Sequence, residues 1–553
     1  MVRIERIHNR IIKLFFSTVE EAKQIKKFTR IYNPVLRFTK PGRNGDTDCK
    51  TSILFRNEAW IGELDYLVSN LKKYKMQYKI MFDYIKDINK KTFMSYINSI
   101  KLKYNPRNYQ LQCIYDVLKY HYVTGESITG TGKSLIISIL AKIMIDKKYR
   151  VLIIVPKVSL VEQMYNDMIN YFGESFSKNM QKINGDYYDK MFRSNIIIST
   201  WQTLQNKADE SFLIFDCVVA DECDIMRKYD SKYRAIVMNC LEAKYVLGMT
   251  GTMDKPSIID YHNVIGVLGK HRVYTEEKKM MEEGIISKIT IQAKKIYYPE
   301  NIYDAYKLHM DKSGFFIGDI IETRDKKWFS DNIDNYDISV CDKKYEITDT
   351  VGMTKFKSGD VLLDQKWFKT KIQFQREIEF ISSIKIRMDY IVNLINSLDG
   401  NVLILTSFRV VEALKYVEYL DGKIKKNILY IDGSISTKER SSIFDELEKT
   451  DNNVLIALKS TMDRGVSVNN LQHFIMLSSI KNASSVRQMI GRVIRLDGKN
   501  NHAIVYDITD CIYNVNDERY SNSMKHYIER KKMYKERHFE LIEENIKLGE
   551  IIK

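Results

Sequence analysis

No apolar run in the chain is long enough to cross a bilayer, and proline is scarce, at 6 among 553 residues. Cysteine is equally uninformative as chemistry: the 7 present form no C-x-x-C pair and no spacing with histidine that would build a tetrahedral zinc site. Their odd number argues against a disulfide framework, so they read as reduced core residues. The stretch Met1–Phe16 is basic, but its apolar part is short and broken by Lys13, so a secretory signal is not expected. Neither an internal repeat nor a low-complexity tract is present. Membrane-spanning, disulfide-scaffold and zinc-ribbon classes fall away, and a cytoplasmic protein is expected. Scarce proline beside abundant Lys, Asn, Ile and Tyr points to an AT-rich genome, which bears on origin and not on mechanism.

What is present is length and positive charge. A chain of 553 residues exceeds one ordinary core and suggests three or four domains. Lys and Arg outnumber Asp and Glu by 87 to 71, and residues 1–100 alone hold 20 basic against 10 acidic side chains. A polyanion suits such a segment, although a solvated basic face is the usual meaning of a charge excess. Aromatic residues interleave with the lysines in "LKKYKMQYKIMFDYIK", which fits base stacking beside phosphate neutralisation or, equally, the buried stripe of a helix.

From about residue 105 the texture becomes short β-rich runs alternating with helical patterns. "YRVLIIVP", "NIIIST", "FDCVVADE" and "KYVLGMTGT" form one series; "NVLILTSF", "KNILYIDG", "NVLIALKS", "HFIMLSS" and "AIVYDI" form another. Strands apolar on both faces and separated by helices mean a parallel sheet covered on both sides. The expected organisation is α/β: a small basic N-terminal α+β domain at 1–100, one parallel-sheet domain at 101–285 and a second at 286–515. An acidic, aromatic insertion with some strands of its own occupies about 300–372, and a charged helical tail spans 516–553.

Three constellations carry chemistry. "ESITGTGKSLIISIL" nearly meets the P-loop pattern, with Ser127 where the first glycine belongs. Gly130 and Gly132 let backbone N–H groups converge on oxygens, Lys133 supplies a cation, Ser134 can ligate Mg²⁺, and the helix that begins there points its dipole at the anion. In "CVVADECD" a β-branched strand ends in Asp221 and Glu222, placed to hold Mg²⁺ through water and to orient the attacking water or take its proton. In "SSVRQMIGRVIR", Gln488, Arg492 and Arg495 fall on one helical face, with Gly491 permitting close approach. Two guanidiniums there suit a γ-phosphoryl group, as arginine fingers.

Taken together, these residues resemble the superfamily 2 helicases. Tyr109 and Gln110 in "PRNYQLQ" resemble the adenine-reading element, and Thr129, Gly130, Thr131, Gly132, Lys133 and Ser134 lie in motif I. Pro156, Lys157 and Ser159 fall in motif Ia, and Thr200, Gln202 and Thr203 in motif Ib. "DECD" is motif II, with Asp224 where DExH relatives have His, and Thr250, Gly251 and Thr252 form motif III. Ser407 lies in motif IV, Thr461 and Gly465 in motif V, where Ser467 stands in place of a frequent Asp, and Gln488, Arg492 and Arg495 in motif VI. The resemblance implies two tandem RecA-like domains that use ATP and Mg²⁺. One would supply Lys133, Ser134, Asp221 and Glu222, the other Arg492 and Arg495. It also implies nucleic-acid contacts from motifs Ia, Ib, IV and V, and coupling through Asp224 and Thr250–Thr252.

The details "PRNYQ", "STWQT", "DEC", "GVSVNNL" and "IGRVIR", with the basic N-terminal unit, look most like the UvsW-type recombination helicases of tailed phages. For that group the resemblance implies translocation on DNA, unwinding and branch migration of branched structures, an N-terminal DNA-binding module, phage recombination proteins as partners and action as a monomer. An RNA-directed superfamily 2 ATPase is the rival among enzymes, and a DNA-binding scaffold with a decayed motor is the rival outside catalysis.

Overall fold

The structure, a computed structural model, describes all residues except 33–49, 185–190, 229, 254–256, 312–319, 322–337, 342–343, 348–373, 375, 407–409, 459–460, 462–470, 479, 481–485, 487–488, 491–501, 515–518 and 550–553. The described residues form two compact units, Met1–Ile286 and those from Ser287 onward.

The first unit is built on a seven-stranded, wholly parallel sheet. Its strands are β5 (Tyr122–Glu126), β6 (Val151–Val155), β7 (Met180–Ile183), β8 (Ile196–Thr200), β9 (Cys217–Asp221), β10 (Tyr245–Thr250) and β11 (Lys270–Val273). Their order across the sheet is β11-β5-β10-β9-β6-β8-β7. Every residue of β5, β6, β8, β9 and β10 is buried, so both faces are covered, as the continuous apolar runs require. The RecA-like pattern follows: each parallel strand delivers its loop to the same edge, and the helices return over the faces.

Residues before the sheet fold as a four-stranded layer of β1 (Val2–His8), β2 (Ile11–Phe15), β3 (Glu58–Trp60) and β4 (Tyr78–Ile80), with helices Val19–Thr29 and Leu64–Lys73. The α+β character expected for this segment is present. Its apolar side chains do not close on themselves, however: Val2, Ile4, Leu14 and Leu67 belong to one buried cluster with Val218, Val264 and Leu268 of the parallel-sheet layer. Two polar features and one glycine weld the seam. Arg10 is fully buried, and its guanidinium donates to the carbonyls of Val237, Cys240 and Val267. Glu63 meets His262 at 2.8 Å, both nearly enclosed; burial pushes the Glu63 carboxyl up and the histidine opposes that. Gly62 is needed for contact, because a Cβ there would lie 2.0 Å from the Ile265 carbonyl oxygen.

The second unit repeats the architecture with β12 (Lys288–Tyr297), β13 (Val402–Thr406), β14 (Asn427–Ile431), β15 (Asn453–Leu458), β16 (His473–Met476), β17 (His502–Asp510) and β18 (Glu540–Lys547). All pairings are parallel, in the order β14-β15-β13-β16-β17-β12-β18. Within the expected insertion, a helix at Glu300–Asp311 precedes a three-stranded antiparallel sheet of Ile320–Ile321, Ile338–Cys341 and Lys344–Ile347. The tail differs from expectation. Its helix, Asn522–Glu536, is followed by β18, which adds to the sheet as an edge strand beside β12. "ELIEENIK" is mostly exposed and charged, a composition that blunts an edge strand and that periodicity reads as a helix face. No helix among the described residues is long and apolar enough to cross a membrane.

Arg10→Ala would remove a buried, charged donor from three carbonyls, so it is expected to destabilise the folded chain by about 2 kcal/mol. A thermal unfolding midpoint unchanged from wild type would contradict the weld.

Candidate nucleotide and nucleic-acid site

The strand ends of the first sheet bring the predicted phosphate residues together. Gly130 and Gly132, at the tip of the turn after β5, adopt φ of 89° and 81°, a region favourable only to glycine. Ser127 is not among the residues with positive φ, so the first-glycine position needs no glycine here. Its side chain instead braces the turn, with Oγ 2.8 Å from Thr131 Oγ1, while its N–H donates to the Thr250 carbonyl at 2.9 Å. The helix Lys133–Asp146 starts immediately after Gly132 and leaves its first N–H groups facing the turn.

Lys133 Nζ lies 3.5 Å from Glu222 Oε1, both largely enclosed. That separation is a loose ion pair, which leaves the ammonium able to move to a stronger anion. Asp221 ends β9, and its carbonyl accepts from the Tyr233 hydroxyl at 2.8 Å, fixing the strand end. Glu222 adopts a left-handed backbone, φ 48° and ψ 50°, which is costly for a residue with a Cβ and is found where geometry serves a site. Burial, then Asp224, Glu222 and Asp221, push the Cys223 thiol well above its usual range, so this cysteine stays neutral and is no nucleophile. Ser134 Oγ is 3.0 Å from the Tyr171 hydroxyl. A hydroxyl and a carboxylate beside a cationic glycine turn are the donor set that suits Mg²⁺ with phosphate oxygens, so the residues present fit both groups.

Tyr109 and Gln110 stand against the turn. The Tyr109 hydroxyl donates to the Thr131 carbonyl at 2.8 Å, and Gln110 Nε2 reaches Thr131 O at 3.0 Å and Gly132 O at 3.3 Å. Gln110 Oε1 accepts the Arg107 N–H at 2.7 Å, so this amide is spent on holding the turn. Beside Tyr109 opens a cavity of about 560 Å³ whose walls include Arg107, Tyr274, Glu276, Met280 and Glu283, large enough for a purine.

Motifs II and III are joined directly: Thr250 Oγ1 lies 3.2 Å from Asp224 Oδ1 and accepts the Thr252 N–H at 3.2 Å. Gly251 sits between them in sequence, next to the turn, with Thr129 and Lys133 as its near neighbours. Motifs Ia and Ib are tied likewise. Gln202 Nε2 donates to the Pro156 carbonyl at 3.1 Å, Thr200 caps the short helix that contains Thr203, and Lys157 precedes the helix containing Ser159. In the second unit, Thr461 is buried and its hydroxyl donates to the Leu458 carbonyl at 2.6 Å. Ser407, Gly465, Ser467, Gln488, Arg492 and Arg495 lie outside the described residues.

Residues 103–255 match the family described as type III restriction enzyme, res subunit, and residues 386–497 match the helicase conserved C-terminal domain. The chain is 24% identical over 488 residues to the ATP-dependent DNA helicase uvsW of Enterobacteria phage T4, covering 82% of this chain and 83% of that protein. The two matches in tandem are the domain pairing of a superfamily 2 helicase. Solved structures similar to the helicase include T4 UvsW, at 18% identity and a TM-score of 0.45 over 99% of both chains. The Hef helicase domain of Pyrococcus furiosus is another, at 15% identity and a TM-score of 0.46 over 77% of this chain and 98% of that one.

Several contributors to the helicase site carry no local sequence signal. Tyr171 reaches Ser134 from another helix, Tyr233 holds the end of β9, and the Thr275 hydroxyl accepts the Ile128 N–H at 2.8 Å. Each is distant in sequence from its partner, and only the parallel sheet brings them together.

Gly132→Ala puts a Cβ on a backbone of φ 81° and 2.5 Å from Gln110 Nε2. It is expected to weaken nucleotide binding by at least about tenfold, given strain of order 1–3 kcal/mol. Wild-type affinity for a fluorescent ATP analogue in this variant would contradict the phosphate-cradle assignment.

Proposed function

We propose that the chain is an ATP-dependent DNA helicase or translocase that unwinds or branch-migrates branched DNA in phage recombination, replication or repair. The observation that carries this is the convergence, at one sheet edge, of a left-handed glycine turn, the Lys133 ammonium 3.5 Å from Glu222, and the Asp224–Thr250 link. In this reading Lys133 binds the β- and γ-phosphates and releases Glu222, which then orients the attacking water and takes its proton. Ser134 and Asp221 would hold Mg²⁺, which when bound supplies neutralisation of charge on the transferring phosphoryl group. Arg492 and Arg495 are assigned to the γ-phosphoryl oxygens, with Gln488 beside them, so that bound triphosphate is distinguished from its hydrolysis products by those contacts. Asp224 and Thr250–Thr252 pass the state of the phosphate to the strand-end loops. Tyr109 stacks or packs at the adenine, in the cavity beside it.

The grip on nucleic acid is assigned to Pro156, Lys157, Ser159, Thr200, Gln202 and Thr203, with Ser407, Thr461 and Gly465 from the second unit. Hydroxyls and backbone N–H groups there suit phosphates of one strand and read no bases. The basic surplus of residues 1–100 assigns duplex or branched DNA to that layer. DNA in place of RNA is supported by the name of the T4 relative, an ATP-dependent DNA helicase similar over most of both chains. Action as a monomer in the cytoplasm of an infected host, alongside phage recombination proteins, completes the reading.

ATP hydrolysis measured with single-stranded DNA, forked DNA and RNA as separate stimulants is expected to respond to DNA. Glu222→Gln is expected to lower the stimulated rate by at least about a hundredfold, with DNA affinity kept. Stimulation by RNA alone would move the substrate to RNA, and unchanged turnover in Glu222→Gln would remove Glu222 from the chemistry.

A further inference from the structure

The aromatic residues interleaved with lysine at 71–86 do not stand free for bases. Met76, Tyr78, Ile80, Phe82 and Tyr84 pack against the cluster that joins the first layer to the parallel sheet. Cations of that layer instead gather with others where the strands of the sheet begin. His121 directly precedes β5, Lys147 and Lys148 lie just before β6, and Lys244 directly precedes β10. Since the strands are parallel, these residues share the end of the sheet opposite the glycine turn, about 16 Å away along a five-residue strand. Lys86 is brought there by its N–H, which donates at 2.8 Å to the Lys119 carbonyl near the end of the helix Asn108–Tyr120. Arg6, on β1, lies with its guanidinium carbon 4.8 Å from the centre of the Phe82 ring.

Aromatic rings hold these cations in place. His121 stacks on Tyr245 at 4.8 Å, Lys147 Nζ lies over Tyr245 at 5.6 Å, and Lys244 Nζ lies over Tyr149 at 4.7 Å. Ring faces used in this way are not offered to bases, so the surface presents charge without a stacking platform. The charges also oppose one another. Burial, then Arg6, Lys86 and Lys147, push the His121 imidazole down to about 4, and burial with Lys86 lowers Lys147. The neighbouring carboxylates are engaged elsewhere: Glu242 meets His8 at 3.2 Å and Asp216 meets Lys244 at 3.0 Å. Among the described residues, Arg6, Lys86 and Lys147 pair with no carboxylate, and both lysines are exposed. Mutual repulsion of this kind costs stability, and a polyanion laid across it reverses the sign.

We propose that Arg6, Lys86 and Lys147 form a second nucleic-acid contact, which takes the sugar–phosphate backbone of a duplex arm at the end of the first sheet opposite the strand-end loops. A strand lying on the loops and a duplex on this surface are separate parts of one branched molecule. The inference rests on DNA being the substrate, and it adds an anchor that reads no bases and that the residues assigned to the single strand do not supply.

The test is binding of the full chain, by fluorescence anisotropy over a salt series, to a fork with a duplex arm and to a single strand of about ten nucleotides. The variant is Lys86→Ala with Lys147→Ala. A control of equal charge loss is Lys278→Ala with Lys532→Ala, two exposed lysines of other helices. The patch variant is expected to lose at least about tenfold in fork affinity, and its salt slope to fall by about 2, one for each phosphate contact removed. Its single-strand affinity is expected to match wild type, and its thermal midpoint to be no lower, since like charges have been removed. The control is expected to bind the fork as wild type does. Wild-type fork affinity and slope in the patch variant overturn the proposal and leave an acidic protein surface as the occupant. A loss shared equally by both DNAs, or by the control, overturns it too, because it reports net charge and not a located contact. A wild-type chain that binds RNA and neither DNA removes the DNA reading itself, and the duplex contact with it.

Discussion

A parallel sheet buried on both faces must send the loop after every strand to one edge, because each return path is a helix packed over the sheet. The first unit is organised by that constraint. The glycine turn after β5, Pro156 after β6, Thr200 at the end of β8, Asp221 at the end of β9 and Thr250 at the end of β10 lie along one line of strand ends. Residues far apart in sequence thereby become neighbours, and side chains then join them: Lys133 to Glu222, Asp224 to Thr250, Gln202 to the Pro156 carbonyl. The residues proposed for phosphate and those proposed for the nucleic-acid strand share an edge because the strands have no other place to deliver their loops.

The same edge shows how rigidity and mobility are divided. The turn is held from outside by Gln110 and Tyr109 on its carbonyls and from within by Ser127 on Thr131. Among the described residues, Lys133 meets Glu222 at long range, so the cation is held near its place without being locked there. Backbone strain is concentrated at Glu222, where the left-handed conformation turns the carboxylate-bearing residue off the strand axis. A scaffold of five completely buried strands can bear that cost.

Much of this was legible beforehand because continuous β-branched runs have few alternatives. The nine apolar runs read from the sequence, among them "VLIIV" and "AIVYDI", all lie in strands, and Gly130 and Gly132 have the positive φ of a turn that runs into the helix at Lys133. Short or polar strands were not legible: "YVTGE" carries a glycine and a glutamate, and "ELIEENIK" is an exposed edge whose spacing mimics a helix. The union of residues 1–100 with the first sheet was hidden as well, since it depends on Arg10 finding carbonyls on two later helices and on Gly62 allowing contact. The departure of Ser127 from the glycine pattern is explained only by the backbone, which is ordinary at that position. Ser407, Gly465, Gln488, Arg492 and Arg495 are assigned from the sequence pattern alone.

The central proposal is that one triphosphate sits in the turn Thr129–Ser134 and that Arg492 or Arg495 reaches its γ-phosphate. The most direct measurement is a crystal structure with a non-hydrolysable ATP analogue and Mg²⁺. The account predicts the β- and γ-phosphates on the N–H groups after Gly130, Lys133 turned from Glu222 onto them, and Arg492 or Arg495 on the γ-phosphate. A triphosphate bound elsewhere, or one held in the turn with both guanidiniums in a different crevice, would contradict it.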